Sequence, residues 1–518
     1  MPSNTNAHRL MTWQHGYHAD STYTCGFFRE LAPAWMDLAA LLKGQPSPRR
    51  HGAEPFAYLE LGSGMGLGLC LLAATHPEGQ FTGIDFQPDH ILHSRRLAEA
   101  LGLSNIRFEE ADFLALAADP AQLRGMHHYV VAHGIATWIT PVIRQALLQL
   151  ASDALRPGGL FYCSYNTTPG WLAGVPLQQL AWLESRRRAA TPAGAAAAVS
   201  AAAATLTALL GSNEQPSALA RNLPGLRERL AGLAKQDGAY QVQEYLNEGW
   251  QPLPVHTLHA AAASCKLRYV ASASLPENFA GLLPASIRDV ISAESDPALR
   301  ETLQDLAINQ SFRRDLFCHG RDPLTTVELN EAFSGLRVRL LDAPAQKNYT
   351  FNCSFGQITT TAELYAGVEA SIADGVGTFG ELLDRHNLSL GALAQLLSLL
   401  LHSGRLGLDR GEAGAAAIET CRSVTQVLLS LQRGGRPYSF LPVASIGSAV
   451  ALSLPEALLE QALHSQPDAD PLPTLAAGLE RLGRRLTTEP SDALAAWQRR
   501  QPVLEALGVI LYPRTSTQ

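Results

Sequence analysis

A chain of 518 residues, 46% hydrophobic and 17% charged, has apolar material for two to four globular domains with substantial cores. Its formal net charge of −7 excludes a global attraction to nucleic acid and leaves only a local patch as a route to one. The seven cysteines (Cys25, Cys70, Cys163, Cys265, Cys318, Cys353, Cys421) are scattered, odd in number and without a C-x-x-C pair, which excludes a disulfide framework, points to reduced intracellular thiols and leaves no zinc site or other metal site apparent.

The first 25 residues are polar and carry no apolar core of signal-peptide type, so the expected compartment is cytoplasmic. An aromatic-rich segment follows, with Tyr17, Tyr23, Phe27, Phe28 and Trp35, running into a helix over about 31–42. Tyr17 and Tyr23 are candidates for a lid over a ligand mouth, with plain packing as the alternative. Residues 57–85, AYLELGSGMGLGLCLLAATHPEGQFTGID, read as a strand, a turn with glycine at Gly62, Gly64, Gly66 and Gly68, an apolar helix, and a second strand closed by Asp85. Glycines at such a turn admit close approach of a ligand to the backbone, and the helix start behind them presents free N–H groups. An acid ending the next strand suits a ribose diol. A dinucleotide and S-adenosylmethionine both fit this plan; Leu67, standing where a third glycine would be, leans away from the dinucleotide.

After Asp85 the pattern continues as a helix over 88–101, a strand over 106–111 ended by Asp112, a strand over 129–132 ended by His133, a helix over 141–155, the turn Arg156-Pro157-Gly158-Gly159 and a strand over 160–164. Strands alternating with helices of this length predict a parallel sheet covered on both faces. Ligands of such sheets bind at the carboxyl ends of strands, which is where Gly62, Asp85, Asp112, His133 and Asn166 fall.

Residues 171–237 read as an alanine-rich helical insertion, broken by Pro192, Gly211, Pro216 and Pro224. Its uncharged run over 189–213 is long enough to cross a bilayer, but its alanine content and few large apolar residues favour a soluble helix. A helix over 255–265 then feeds a strand over 267–271, and another strand over 313–318 follows; both are expected to complete the sheet. Beyond about residue 345 an extended segment precedes helices over 362–410 and a strand near 404–408, a succession that suggests a winged-helix-like module. The presumed recognition helix has no basic face and residues 350–518 carry more acids than bases, so protein contact is favoured over DNA. The expected organisation is therefore 1–170 as cofactor-binding core with lid, 171–240 as insertion, 241–345 as a region completing the sheet, and 346–518 as the helical C-terminal part.

A methyl-donor site needs a turn for the methionine carboxylate, an acid for the ribose and a polar group for the adenine edge. Residues 60–66, Asp85 and Asp112 supply these in order, and together they resemble motifs I, II and III of class I S-adenosylmethionine-dependent methyltransferases, a Rossmann-like α/β fold. The blocks Ala132-His133-Gly134-Ile135-Ala136-Thr137-Trp138 and Ser164-Tyr165-Asn166-Thr167-Thr168-Pro169-Gly170-Trp171 resemble signatures of bacterial methyltransferases with a methyltransferase regulatory domain, a group that includes protein lysine methyltransferases. Asn247-Glu248-Gly249-Trp250 and residues 309–315, NQSFRRD, match as well, whereas Ala136 and Thr168 stand where those lysine enzymes carry tyrosines.

The resemblance implies S-adenosylmethionine as cofactor, held by Glu60, Gly62, Ser63, Gly64, Gly66, Asp85, Phe86, Asp112, Phe113 and His133. Methyl transfer is then a matter of positioning the acceptor and removing its proton. Asn166 and the carbonyls near Tyr165 are expected to orient the acceptor, Trp138 and Trp171 to wall its pocket, and His133 to line the cofactor in preference to acting as base. Trp250 and the Arg313-Arg314 pair read as structural. The expected acceptor is a protein or peptide side chain, with lysine favoured; a small-molecule acceptor, a non-catalytic cofactor-binding scaffold and, more distantly, an NAD oxidoreductase are the alternatives. A homodimer is admitted, and neither nucleic acid nor a membrane span is expected.

Overall fold

The structure is a computed structural model and describes residues 14–17, 25–49, 54–188, 191–233, 235–342, 349–411, 413–467 and 469–510. Tyr23 lies outside them.

Seven strands form the central sheet: β1 (Phe56–Leu61), β2 (Gly79–Asp85), β3 (Ile106–Glu110), β4 (His127–Ala132), β5 (Leu155–Asn166), β6 (Leu267–Ser272) and β7 (Phe312–His319). Their order is β3-β2-β1-β4-β5-β7-β6. The first five run parallel, and β7 lies antiparallel between β5 and β6. β6 and β7 thus complete the sheet although some 100 residues separate them from β5. Side chains alternate between two cores, as a pleated strand requires. Tyr58, Tyr129 and Tyr162 face one side; Leu59, Val130 and Phe161 face the other. Because both faces are covered, β1 and β4 read as nearly unbroken apolar runs.

A short helix beyond those expected bears on the site. Phe113–Ala118 follows β3, and Asp112 is its N-cap, accepting from the N–H groups of Leu114 and Ala115.

The insertion folds as the helices Val175–Ser185, Pro192–Leu210, Pro224–Leu233 and Gly238–Tyr245 around a core of their own. Its alanine-rich helix is, among the described residues, long and apolar enough to cross a membrane. In the fold its Ala195, Val199, Ala202 and Leu206 face is buried in that core. Helical spacing of small residues lets neighbouring helices approach closely there.

In the C-terminal region the helices Ala362–Ala373, Phe379–His386 and Leu390–His402 lead into a strand, Leu406–Asp409. That strand pairs with Arg337–Leu340, which lies ahead of the expected start of the region at residue 346. A long helix, Ala415–Arg433, packs on the helix Leu67–Thr75 behind the glycine turn, where Cys421 Sγ meets the Ala74 carbonyl at 3.5 Å. Arg410 reinforces this seam by donating to the Thr75 carbonyl at 2.9 Å and pairing with Glu78.

Candidate active site

The turn after β1 is fixed from β2. Gly62 and Ser63 donate to the Ile84 carbonyl, and Gly64 N donates to Asp85 Oδ2 at 2.9 Å. Gln87 N donates to Asp85 Oδ1 at 3.0 Å, so one carboxylate straps two strand ends together. Gly62, Gly64 and Gly66 have φ of 79°, 53° and 75°, a region that other residues enter only with strain. At Gly62 a Cβ would also press to 3.0 Å from Ile135. Glu60, buried beneath the turn, is pushed up to about 8, first by burial and then by the charge of Asp85.

A cleft opens above these strand ends, lined by Gly62, Asp85, Phe86, Asp112, Phe113, Ile135 and Trp138. Residues 14–17 cover it. His15 Nε2 pairs with Asp112 Oδ2 at 3.0 Å, Tyr17 meets Phe86 edge-on with centroids 5.4 Å apart, and Glu248 N donates to the Gly16 carbonyl at 2.9 Å. His15, unlike Tyr17, had no signal in the sequence.

The residues present fit S-adenosylmethionine. The left-handed glycines Gly62, Gly64 and Gly66 shape the turn into a cradle, and Ser63 Oγ is buried there with no hydrogen-bond partner among the described residues. Asp85 and, once a cation draws off its proton, Glu60 give the cradle an anionic floor, which suits a cationic sulfonium ligand. Asp112 keeps Oδ1 in the helix cap and turns Oδ2 toward the cleft side, where His15 now meets it. Among the described residues no group of three or more His, Cys, Asp or Glu side chains could hold a metal ion.

The remaining candidates separate. His133 stacks beneath Phe28 with centroids 3.9 Å apart, and its Nδ1 lies 3.0 Å from both Tyr162 Oη and Ser164 Oγ. Burial, with Arg314 nearby, pushes it down to about 3, which leaves a neutral ring poorly suited to take a proton. The side chain of Tyr165 points away from the cleft into the core, where its hydroxyl donates to Asp315 at 2.6 Å. Trp171 belongs to the insertion core, against Tyr245, Trp250 and Arg229, and does not line the cleft.

Asn166 ends β5, with Nδ2 donating to Glu244 Oε1 at 2.6 Å. Glu244 comes from the helix Gly238–Tyr245 and is 4% exposed. It also accepts from Tyr240 Oη at 3.0 Å, and the Trp138 indole N–H is close enough to favour its ionised form. Burial nevertheless pushes it up to about 7. Sequence reading missed this residue because its partners lie 78 positions away at Asn166 and further still at Trp138.

Residues 247–253 roof the same end of the sheet. Gln251 N donates to the Thr137 carbonyl and Leu253 N to the Asn166 carbonyl, both at 2.9 Å. Gly249 passes so near the 132–138 loop that a Cβ would lie 2.4 Å from the Ile139 carbonyl carbon.

Residues 55–206 match a methyltransferase domain and residues 237–319 a predicted methyltransferase regulatory domain. An uncharacterized protein of Synechocystis sp. is 30% identical over 468 residues, which cover 88% of this chain and 89% of that one. The chain belongs to the methyltransferases with a regulatory domain. It is an S-adenosylmethionine-dependent enzyme of the class I fold. An uncharacterized protein of Rickettsia prowazekii shares 25% identity over 287 residues, or 55% of this methyltransferase and 50% of that protein. PKMT2 from Rickettsia typhi, solved in complex with AdoHcy, shares the fold over 94% of this methyltransferase and 99% of its own chain, with a TM-score of 0.66 at 18% identity.

Proposed function

We propose that this methyltransferase modifies a protein or peptide side chain, with the lysine amine favoured. The observation that carries the reading is Asn166 at the carboxyl end of β5, joined through Glu244 to Trp138 of the donor cleft, with Nδ2 committed to Glu244 and Oδ1 left as the acceptor atom of the amide. Such an oxygen accepts from an amine N–H, and an aromatic, water-poor wall lowers the amine pKa toward the neutral form that can attack.

Bound in the cradle, S-adenosylmethionine supplies an electrophilic methyl group on a sulfonium. The roles assigned to this chain are to hold and exclude: residues 60–66 and Asp85 hold the donor, Asp112 and Phe86 meet its far end, and Trp138 keeps water from the acceptor. The resemblance of the 132–138 and 164–171 blocks to those of protein lysine methyltransferases supports the same acceptor class. The free cysteines support a reducing compartment, the cytoplasm.

A small-molecule acceptor is the second reading, favoured by the closure of the cleft by His15 and Tyr17. Labelled methyl donor added to host lysate, with Asp85→Ala as control, separates the two. Label on protein bands that vanishes in the control supports side-chain methylation, and label confined to small molecules overturns it.

A further inference from the structure

We infer that Glu244, contributed by the regulatory domain, is a positioning residue of methyl transfer: ionised, it holds the Asn166 amide by Nδ2 and so presents Oδ1 to the acceptor, and protonated it releases that hold. The inference rests on the amine-acceptor reading for its choice of substrate and on the structure for its geometry.

The hydrogen-bond chemistry supports only one orientation when the carboxyl is ionised. A carboxylate has no proton to donate, so the Asn166 atom 2.6 Å from Oε1 must be the amide nitrogen. The carbonyl oxygen of the same side-chain amide is then left to accept from a ligand. A proton on Oε1, the oxygen that faces Asn166, reverses the preference, because a carboxylic acid O–H donates and an amide oxygen is its natural acceptor. The amide then turns by half a revolution and shows an NH2 group to the acceptor. An incoming amine, which must donate its N–H and keep its lone pair for the methyl group, meets a donor where it needs an acceptor.

The groups facing Glu244 set the pH at which this happens. Tyr240 Oη on its own helix, Asn166 Nδ2 from β5, the Trp138 indole and the Arg229 guanidinium of the helix Pro224–Leu233 all favour the ionised form; burial opposes them and outweighs them. The helix Pro192–Leu210 packed against it carries no charged side chain. The single charge of the helix Val175–Ser185, Glu184, is engaged by Arg187 and Arg188. The balance holds the carboxyl at about 7, so the switch lies within the physiological range.

Three full-length proteins test this: wild type, Glu244→Gln and Tyr240→Phe. The structural readout needs no turnover. With 15N-labelled tryptophan and a Trp138→Phe variant for assignment, the Trp138 indole resonance should titrate near pH 7 in the wild type and should not in Glu244→Gln. Tyr240→Phe removes one donor to the ionised form and should move that midpoint upward by about half a unit to one unit. Kinetically, label transfer to the acceptor band should show an acid limb near the same pH. Glu244→Gln should lack that limb and turn over roughly 10- to 100-fold more slowly at pH 8, mostly in kcat, as expected for a misoriented contact. Donor affinity, measured by calorimetry, should be unchanged in both variants. An indole resonance that ignores Glu244→Gln, or identical pH profiles for all three proteins, overturns the role. If the indole titrates as described while no protein is labelled, the amide switch stands and the protein-acceptor reading falls.

Discussion

Glu60 and Asp85 share a small buried space under the donor turn, and their charges are linked. Burial and Asp85 together hold the Glu60 carboxyl up at about 8, so at pH 7 the donor-free protein keeps a proton there. A cation placed over the turn favours the ionised carboxylate and expels that proton. Donor affinity should therefore rise with pH up to about 8 and level off above it, because the bound form has the lower pKa. Calorimetry in buffers of different ionisation enthalpy checks this: close to one proton should be released per donor at pH 7, and little at pH 9. Equal heats in all buffers at pH 7 would remove Glu60 from the donor site. Both acids were readable from sequence, since each ends or precedes a recognisable turn. Glu244 was not, because it lies just outside the Asn247-Glu248-Gly249-Trp250 block and its significance comes from where the fold carries it.

At the level of elements, β5 and β7 are joined by a buried charge cluster. Arg313 pairs with Glu301 at 2.7 Å, Asp315 at 3.0 Å and Asp305 at 2.5 Å, while Tyr165 and His259 also engage Asp315. One guanidinium thus compensates three carboxyls, and burial pushes Asp305 up to about 7. Arg313→Met should cost about 3–5 kcal/mol at pH 8, as removal of one partner from a buried ion pair does. The sign of its pH dependence follows from the same carboxyls. Without Arg313 the Asp305 pKa rises further above its unfolded value and Asp315 loses the charge that lowers its own, so the folded state binds more protons and the deficit shrinks as pH falls from 8 toward 5. Urea denaturation of both proteins across that range measures it; a deficit independent of pH would mean the cluster is not what is lost. The NQSFRRD block was visible in sequence, and the structural reading of its Arg313 agrees with this geometry, but the identity of the acidic partners depended on a helix 8 to 12 residues upstream folding back onto the strand.

On the scale of the molecule, the donor half and the regulatory half are one sheet. β7 covers Phe161, Tyr162 and Cys163 of β5 along its whole edge, and β6 closes the far side. A chain ending before Leu267 would leave β5 as a long apolar edge, a template for aggregation. Such a truncation should be recovered insoluble or without a cooperative thermal transition, whereas the full chain should melt cooperatively; a soluble, cooperatively folded fragment would show that the five parallel strands suffice. The sequence alone revealed that two late strands exist, since alternation of strand and helix is a local signal. It did not reveal that the segment after Tyr245 would return to roof the acceptor end, because backbone pairing between residues 247–253 and the ends of β4 and β5 leaves no periodicity.

The helix behind the glycine turn has one further neighbour. His93 hydrogen-bonds through Nδ1 with the Met65 carbonyl of the turn and through Nε2 with Tyr438 Oη, each at 2.8 Å. The carbonyl can only accept, so Nδ1 carries the N–H and Nε2 accepts from the Tyr438 hydroxyl, and a single imidazole links the donor turn to the C-terminal region. Any binder that grips the surroundings of Tyr438 and alters donor affinity by some factor must have its own affinity altered by that same factor when donor is bound. One imidazole is thus the whole distance, in hydrogen bonds, between Tyr438 of the C-terminal region and the donor turn.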